Sequence, residues 1–227
     1  MKERVILFNA KDYSEEELKK IIELDGKVLK NDNRSFVKRV VYLGKEIVVK
    51  QPKEKDRRKW IRFTTIFRDS EVVATLISME KLKEIGVISN EPIGAVEYRK
   101  NKMVYKSFAI YTYVEGEKVE KIDYVKVINL IKKIHMYGYL HGDTQIRNFL
   151  KKNEDIATID CNLKNKRMYK ISENMEYFKF MQDAHESSEY ISKNIWYYIA
   201  KAVFYMIRTK RRVKKYIKVK LRREKKV

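Results

Sequence analysis

Three residues have the types and spacing to do chemistry: Asp143, Asn148 and Asp160. They lie in the stretch His141-Gly-Asp-Thr-Gln-Ile-Arg-Asn-Phe-Leu and, just beyond it, Ile156-Ala-Thr-Ile-Asp. A loop carboxylate can take the proton from a substrate hydroxyl. An amide five residues later and a second carboxylate beyond a short hairpin can hold the magnesium ions that bridge the phosphates of ATP. In that phosphotransfer chemistry Asp143 is the base, and Asn148 and Asp160 are the metal ligands.

The neighbouring residues predict the element that unites the two ligands. Phe149-Leu150 reads as a strand, Asn153-Glu154-Asp155 as a turn, and Ile156 to Ile159 as the returning strand. Such a hairpin returns Asp160 to the side of Asn148, twelve residues back. His141 reads as a brace for the loop. His135, on the preceding helix, and His185 read as structural.

The same chemistry needs a cation for the phosphates. Ile47-Val48-Val49-Lys50 offers one, with three β-branched residues leading into a lysine. Its carboxylate partner belongs on the helix expected over 69–85, where Glu71 and Glu80 are both placed to serve. Tyr113-Val114-Glu115-Gly116 reads as a hinge whose backbone receives adenine, with Tyr113 and Val114 as the nucleotide contacts. A phosphate-covering loop is expected at Asn31-Asp32-Asn33-Arg34-Ser35. It contains no glycine, so Arg34 is the residue there with charge to offer.

The elements that must position these residues follow from local patterns. Ser14, with Glu17 three positions on, marks a capped helix over 14–24. Strands are expected at 27–30, 35–43 and 46–51, with a turn at Leu43-Gly44-Lys45. The helix over 69–85 carries Val72, Val73, Leu76, Met79 and Leu82 on one face and stops at Gly86. Strands at 93–98 and 106–114 follow, and then a helix with Tyr124, Val127, Ile128, Ile131 and Ile134 in one stripe. Beyond Asp160 the chain reads mainly as helix. The order predicts an α+β, two-lobed arrangement in one domain: a β-rich N-lobe over about 1–115 with one main helix, a reduced helical C-lobe over about 116–207, and a basic tail over 208–227.

Composition limits the classes of function. With 44% hydrophobic residues the 227-residue chain can bury a core. Its single cysteine, Cys161, precludes an internal disulfide and suits a reducing compartment. The first residues lack the apolar core of a secretory signal. Ile195 to Ile207 is too short to span a bilayer and reads as a buried or interfacial helix. Trp196-Tyr197-Tyr198 within it reads as core or membrane-edge packing. These features predict a cytoplasmic protein. The net charge is +21, and residues 208–227 hold twelve Lys and Arg against Glu224 alone. That tail suits a solvated end, a nucleic-acid patch or an anionic lipid surface, and composition does not choose among them.

The stretch from Lys27 to Lys50, the Tyr113-Val-Glu-Gly116 hinge and His141-Gly-Asp-(four residues)-Asn148-Phe149 resemble the lipopolysaccharide core heptose(II) kinases of the protein-kinase-like superfamily. The resemblance runs through roughly residues 25–165. It implies an ATP- and magnesium-dependent transfer of the γ-phosphate to a heptose hydroxyl of the lipopolysaccharide core. In that reading Asp143 is the catalytic base, Asn148 and Asp160 are the metal ligands, and Lys50 binds phosphate. The implied acceptor is carried at the inner face of the inner membrane, where a basic tail has anionic lipid to meet and no nucleic acid is needed. Gly142 replaces the arginine of protein kinases, which favours a sugar or small-molecule acceptor over a protein. Cys161-Asn162 replaces the usual Phe-Gly, and no Ala-Pro-Glu follows. Lys164, Lys166 and Arg167 suit either a phosphorylated acceptor or a solvated face.

Other readings share some of these residues. Aminoglycoside and choline kinases have the same His-Gly-Asp-(four residues)-Asn pattern, and the small kinase-like ATPase of transfer-RNA modification is also short and basic at its end. A catalytically silent scaffold would explain the missing glycines. A basic nucleic-acid module would lack stacking rings in the tail, where Tyr216 is the single aromatic residue.

Overall fold

The computed structural model describes residues 2–166 and 169–224. In chain order the elements are β1 (Lys2–Leu7), α1 (Glu15–Glu23), β2 (Lys27–Asn31), β3 (Phe36–Tyr42), β4 (Lys45–Gln51), α2 (Lys53–Arg57), α3 (Lys59–Thr64) and α4 (Glu71–Glu84). Next come β5 (Pro92–Lys100), β6 (Met103–Thr112), β7 (Glu117–Lys118), α5 (Tyr124–Met136), β8 (Tyr139–Leu140), β9 (Phe149–Lys152) and β10 (Asp155–Thr158). The described chain closes with β11 (Lys164–Asn165), α6 (Tyr169–Phe180) and α7 (Ile195–Glu224). They form two compact units. One, a sheet unit, joins Met1–Lys118 to Asn148–Leu163; the other, a helical unit, joins Val119–Arg147 to Lys164–Val227.

The sheet unit is built on six antiparallel strands in the order β1-β5-β6-β4-β3-β2. Both faces are covered, which explains the unbroken apolar run Ile47-Val48-Val49. Successive side chains of a strand point to opposite faces. Ile47 and Val49 join Leu18 and Ile21 of α1 in one core, while Val48 joins Val72, Val73, Leu76 and Met79 of α4 in the other. Lys50 shares the parity of Val48 and pairs with Ala109 of β6, so it lies on the α4 face.

Local signals place both covering helices. Ser14 caps α1 with the reciprocal Glu17 box, and Lys38 of β3 donates to the Ile22 carbonyl near the helix end at 2.7 Å. Ser70 caps α4, whose expected apolar face is buried. Helix α1 also needs a close approach to the sheet. A Cβ on Gly94 would sit 2.2 Å from Leu18 Cδ2 and 2.9 Å from the Ile6 carbonyl oxygen, so only glycine fits there.

Three of the departures from the sequence expectation lie in the sheet unit. Strand β1 adds an edge strand, with three charged residues in its six obscuring the alternation. Two short helices, α2 and α3, fill the segment before α4. The β9–β10 turn is Asn153-Glu154 alone, with Asn153 at φ +55°, and Asp155 starts the returning strand.

The helical unit packs α5 through Tyr124, Val127, Ile128, Ile131 and Ile134, all buried. Tyr124 meets Phe180 of α6 edge-on at 5.7 Å. Phe178 of α6 meets Tyr197 and Phe204 of α7 at 4.9 and 5.5 Å, so aromatic contacts join the last two helices. The basic segment after Ile207 continues α7 as helix to Glu224. No described helix is long and apolar enough to cross a membrane.

Candidate active site

In the sheet unit the structure joins two of the candidates. Lys50 Nζ makes an ion pair with Asp160 Oδ1 across 110 residues of sequence. Burial works against the lysine charge, but Tyr111, Asp160 and Glu71 outweigh it and hold Lys50 above the ordinary lysine value. The β9–β10 hairpin does the positioning. Ile159 N–H donates to the Asn148 carbonyl at 2.8 Å, which brings the residue before Asp160 beside Asn148. Thr158 N–H bonds the Ile88 carbonyl at 2.9 Å and anchors the hairpin to the segment before β5.

Asp160 adopts φ +53°, a left-handed conformation that costs a non-glycine residue about 1 kcal/mol and occurs often at functional sites. Its side chain is half exposed. The residues after it are tied to α4: Asn162 Nδ2 donates to Glu71 Oε1 at 3.3 Å, and Leu163 N–H to Ser78 Oγ at 3.1 Å. Asn162 thus has a structural partner at a position where the resemblance expects glycine. Of the two carboxylates offered to Lys50, Glu71 is the one within its electrostatic reach. Glu71 itself is ion-paired to Lys55. Glu80 responds instead to burial and Glu84, which raise its pKa.

The turn between β2 and β3 is closed by its own side chain. Asp32 Oδ1 accepts the N–H groups of Arg34 and Ser35, both at 2.8 Å, and these bonds hold Asp32 below the usual carboxylate range. Backbone donors that a glycine-rich loop would turn toward phosphate are here committed to Asp32. Arg34 remains well exposed, 3.9 Å from Glu54. In the hinge, Tyr113 N–H bonds the Glu46 carbonyl at 2.9 Å, the Tyr113 ring lies under Arg39, and Val114 is buried.

In the helical unit the structure surrounds Asp143 with partners that the sequence did not indicate. Glu176 of α6 accepts the N–H groups of His141 at 2.9 Å and Gly142 at 2.6 Å, and its carboxylate also meets His135 Nε2 at 2.9 Å. Burial pushes its pKa upward, but His135, His141 and the Gly142 N–H outweigh that and lower it. One turn further along α6, Lys179 makes an ion pair with Asp143 Oδ1. Residues three apart on a helix share a face, so α6 supplies a carboxylate for the loop backbone and a cation for its aspartate. Neither residue falls in a motif, and neither could be found by spacing.

Gly142 has φ +87°, which explains glycine at this position on conformational grounds. His141 is fully buried, and its Nδ1 accepts the Asp143 N–H at 3.3 Å, the geometry of a brace. His135 is held by Glu176 and Tyr177. Lys166 is committed to the His135 carbonyl and Glu173; Arg167 lies outside the described residues. Lys164 instead lines a cavity of about 1210 Å³ within this unit. Gly142, Gln145 and Lys179 are on the cavity wall nearest the loop, Ile171 and Met175 come from α6, and Val203, Phe204, Ile207 and Arg208 come from α7.

Among the described residues no group of three or more His, Cys, Asp or Glu could hold a metal ion. The donor set Asn148 and Asp160 suits magnesium, which binds through one or two protein oxygens and completes its shell with water and phosphate.

An antiparallel sheet unit that places a lysine on the face of its main helix, with a hairpin bearing its aspartate partner and a separate helical unit bearing the His141 loop, is a protein-kinase-like fold. Among solved structures the chain is similar to WaaP in complex with acyl carrier protein, at 15% identity and a TM-score of 0.52, covering 89% of this chain and 88% of that one. At that identity the likeness is one of fold. The kinase PK-1 of Cydia pomonella granulovirus also matches, at 14% identity and a TM-score of 0.44, over 66% of this chain and 58% of that one. No family model and no curated protein matches the sequence.

Proposed function

We propose that the chain is an ATP-dependent phosphotransferase acting on an alcohol, with a heptose hydroxyl of the lipopolysaccharide inner core as acceptor. The observation that carries the phosphotransfer reading is the ion pair between Lys50 and Asp160. A strand lysine and an aspartate at the end of a hairpin meet as a phosphate-binding cation and a metal ligand would. The heptose acceptor rests on the resemblance over residues 25–165.

In this reading Tyr113 and Val114 receive adenine through the backbone, and Lys50 releases Asp160 to pair with the phosphates. Asn148 and Asp160 would hold magnesium, which when bound neutralises charge on the phosphates. Asp143 accepts the proton of the acceptor hydroxyl as its oxygen bonds the γ-phosphorus and ADP departs. Lys179 orients Asp143 through their ion pair. Glu176 holds the loop backbone so that the carboxylate arrives in one place. The basic end, with its excess of Lys and Arg, meets the anionic membrane surface where such an acceptor is carried.

The test is transfer of labelled γ-phosphate from Mg-ATP to lipopolysaccharide with an unphosphorylated heptose core, comparing wild type with Asp143→Asn. The expected result is label on the core oligosaccharide, lost by about 10²-fold or more in the variant while ATP binding persists. ATP binding without label on this acceptor would refute the heptose assignment. Absence of ATP binding would refute the phosphotransferase.

A further inference from the structure

Helix α7 has two apolar faces, and among the described residues only one has a partner. On the packed face Tyr197 and Ala200 are buried, and Val203, Phe204, Ile207 and Arg208 line the cavity beside the His141 loop. On the other side Ile195, Tyr198, Tyr205, Met206, Val213 and Tyr216 are 68%, 57%, 53%, 67%, 51% and 71% exposed. With Ile199 and Ile217 they fall within about 120° of the helix circumference at about 100° per residue, so they form one stripe along about 33 Å of helix. Exposed Lys201, Lys210, Arg212 and Lys214 flank it, and the sequence from Ile195 to Arg223 contains no acid.

We propose that this stripe lies in the headgroup region of an anionic lipid bilayer, with α7 parallel to the surface. Each feature selects that occupant. A second copy of the helix could cover the apolar stripe but would bring two cationic flanks together with no carboxylate to separate them. A nucleic acid would take the cations and leave the stripe in water. An anionic bilayer takes both, with tyrosines at the level where a ring is buried and a hydroxyl stays wet. The helix lies on the membrane and does not span it.

This extends the charge-based contact of the basic end in two ways. Apolar insertion begins at Ile195, upstream of the cationic run, and contributes binding that salt does not screen. The same helix walls the cavity beside Gly142 and Lys179, so docking it sets that cavity at the lipid surface. The consequence for the acceptor, that it enters from the bilayer, rests on the phosphotransfer reading; the membrane contact does not.

The experiment is sedimentation of the full chain with vesicles of equimolar phosphatidylglycerol and phosphatidylcholine, against phosphatidylcholine alone, at low and high salt. Tyr205→Glu/Met206→Glu, which keeps every cation, should bind the anionic vesicles at least about tenfold more weakly, and wild type should retain part of its binding in high salt. Tyr216→Glu, beyond the packed half of α7, should show a smaller loss. Unchanged binding by the double variant, or complete release of wild type by salt, would overturn the proposal. So would a wild-type dimer in sedimentation velocity that the double variant abolishes without any lipid binding. Circular dichroism checks that the variants fold. The assay uses neither ATP nor acceptor, so its failure and that of the phosphotransfer reading are separate results.

Discussion

Glu176 Oε1 accepts the backbone N–H of Gly142 at 2.6 Å, so helix α6 holds the loop that ends in Asp143. The same buried carboxylate takes the His141 N–H and meets the ring of His135, which joins α5, the loop and α6 through one side chain. Removing it would leave several buried polar groups without their acceptor.

Glu176→Ala should therefore cost on the order of 3 kcal/mol in urea unfolding at neutral pH. The folded-state pKa of Glu176 is depressed, so its contribution is present above the ordinary glutamate value and is lost as pH falls through the lower folded value. Glu176→Gln, which keeps an acceptor oxygen, should cost less and flatten the acid side of the stability profile. Equal acid profiles for wild type and Glu176→Gln would contradict the assigned role.

Asp56 behaves in the opposite sense. It is buried on α2, where its carboxylate oxygens accept the Ser107 N–H and hydroxyl, both at 2.9 Å. Burial dominates over those bonds and pushes its pKa up to about 6. A raised folded-state value means that its stabilising contribution is full below the ordinary aspartate pKa and is lost as pH rises through about 6. Asp56→Asn should remove that component, making the variant more stable relative to wild type at pH 7 than at pH 4, by on the order of 2–3 kcal/mol. Parallel stability profiles for the two proteins between those pH values would show that Asp56 does not titrate in this window.

Lys50→Met tests the cation on the strand. The side chain is partly exposed, so the fold should persist with a loss of about 1 kcal/mol or less. On the proposed reading kcat/KM for ATP should fall on the order of 100-fold, since both the proposed phosphate contact and the partner of Asp160 are gone. ATP kinetics like those of wild type would remove Lys50 from the site.

Gly142→Ala tests whether glycine is there for conformation. At φ +87° an alanine is strained by about 1–2 kcal/mol, and the loop can relieve that only by moving its N–H from Glu176. Turnover should fall while far-ultraviolet circular dichroism is unchanged. Gly142→Arg, the protein-kinase residue, should be at least as impaired. Full activity in either variant would mean that the loop tolerates a different backbone.

The elements whose signals are local could be read from the sequence. Ser14 and Glu17 mark the start of α1, the spacing of Val72, Val73, Leu76, Met79 and Leu82 gives the buried face of α4, and the stripe from Tyr124 to Ile134 gives α5. The hairpin around Asn153 was legible for the same reason, apart from the length of its turn. Strand β1 was not, because its three charged residues leave only Val5, Ile6 and Leu7 to show the alternation between the two cores. The strand at 93–98 was legible although a bulge between Pro92 and Gly94 turns both Ile93 and Val96 to one core.

The sequence by itself determined which residue types stand at which spacing. The motif from His141 to Asp160, the lysine after three β-branched residues, the glycine-free turn at Asn31 to Ser35 and the run of basic residues at the end all follow from chain order and short-range sterics. Tertiary structure decided the partners. Lys50 meets Asp160 across 110 residues, and His141 meets Glu176 across 35. Glu71, not Glu80, lies within reach of Lys50, and Lys179 pairs with Asp143. No local pattern constrains such contacts, because they depend on how sheet faces and helix faces pack. The same holds for α7: its periodicity is written in the sequence, but which of its two apolar faces is covered depends on where α6 packs against it.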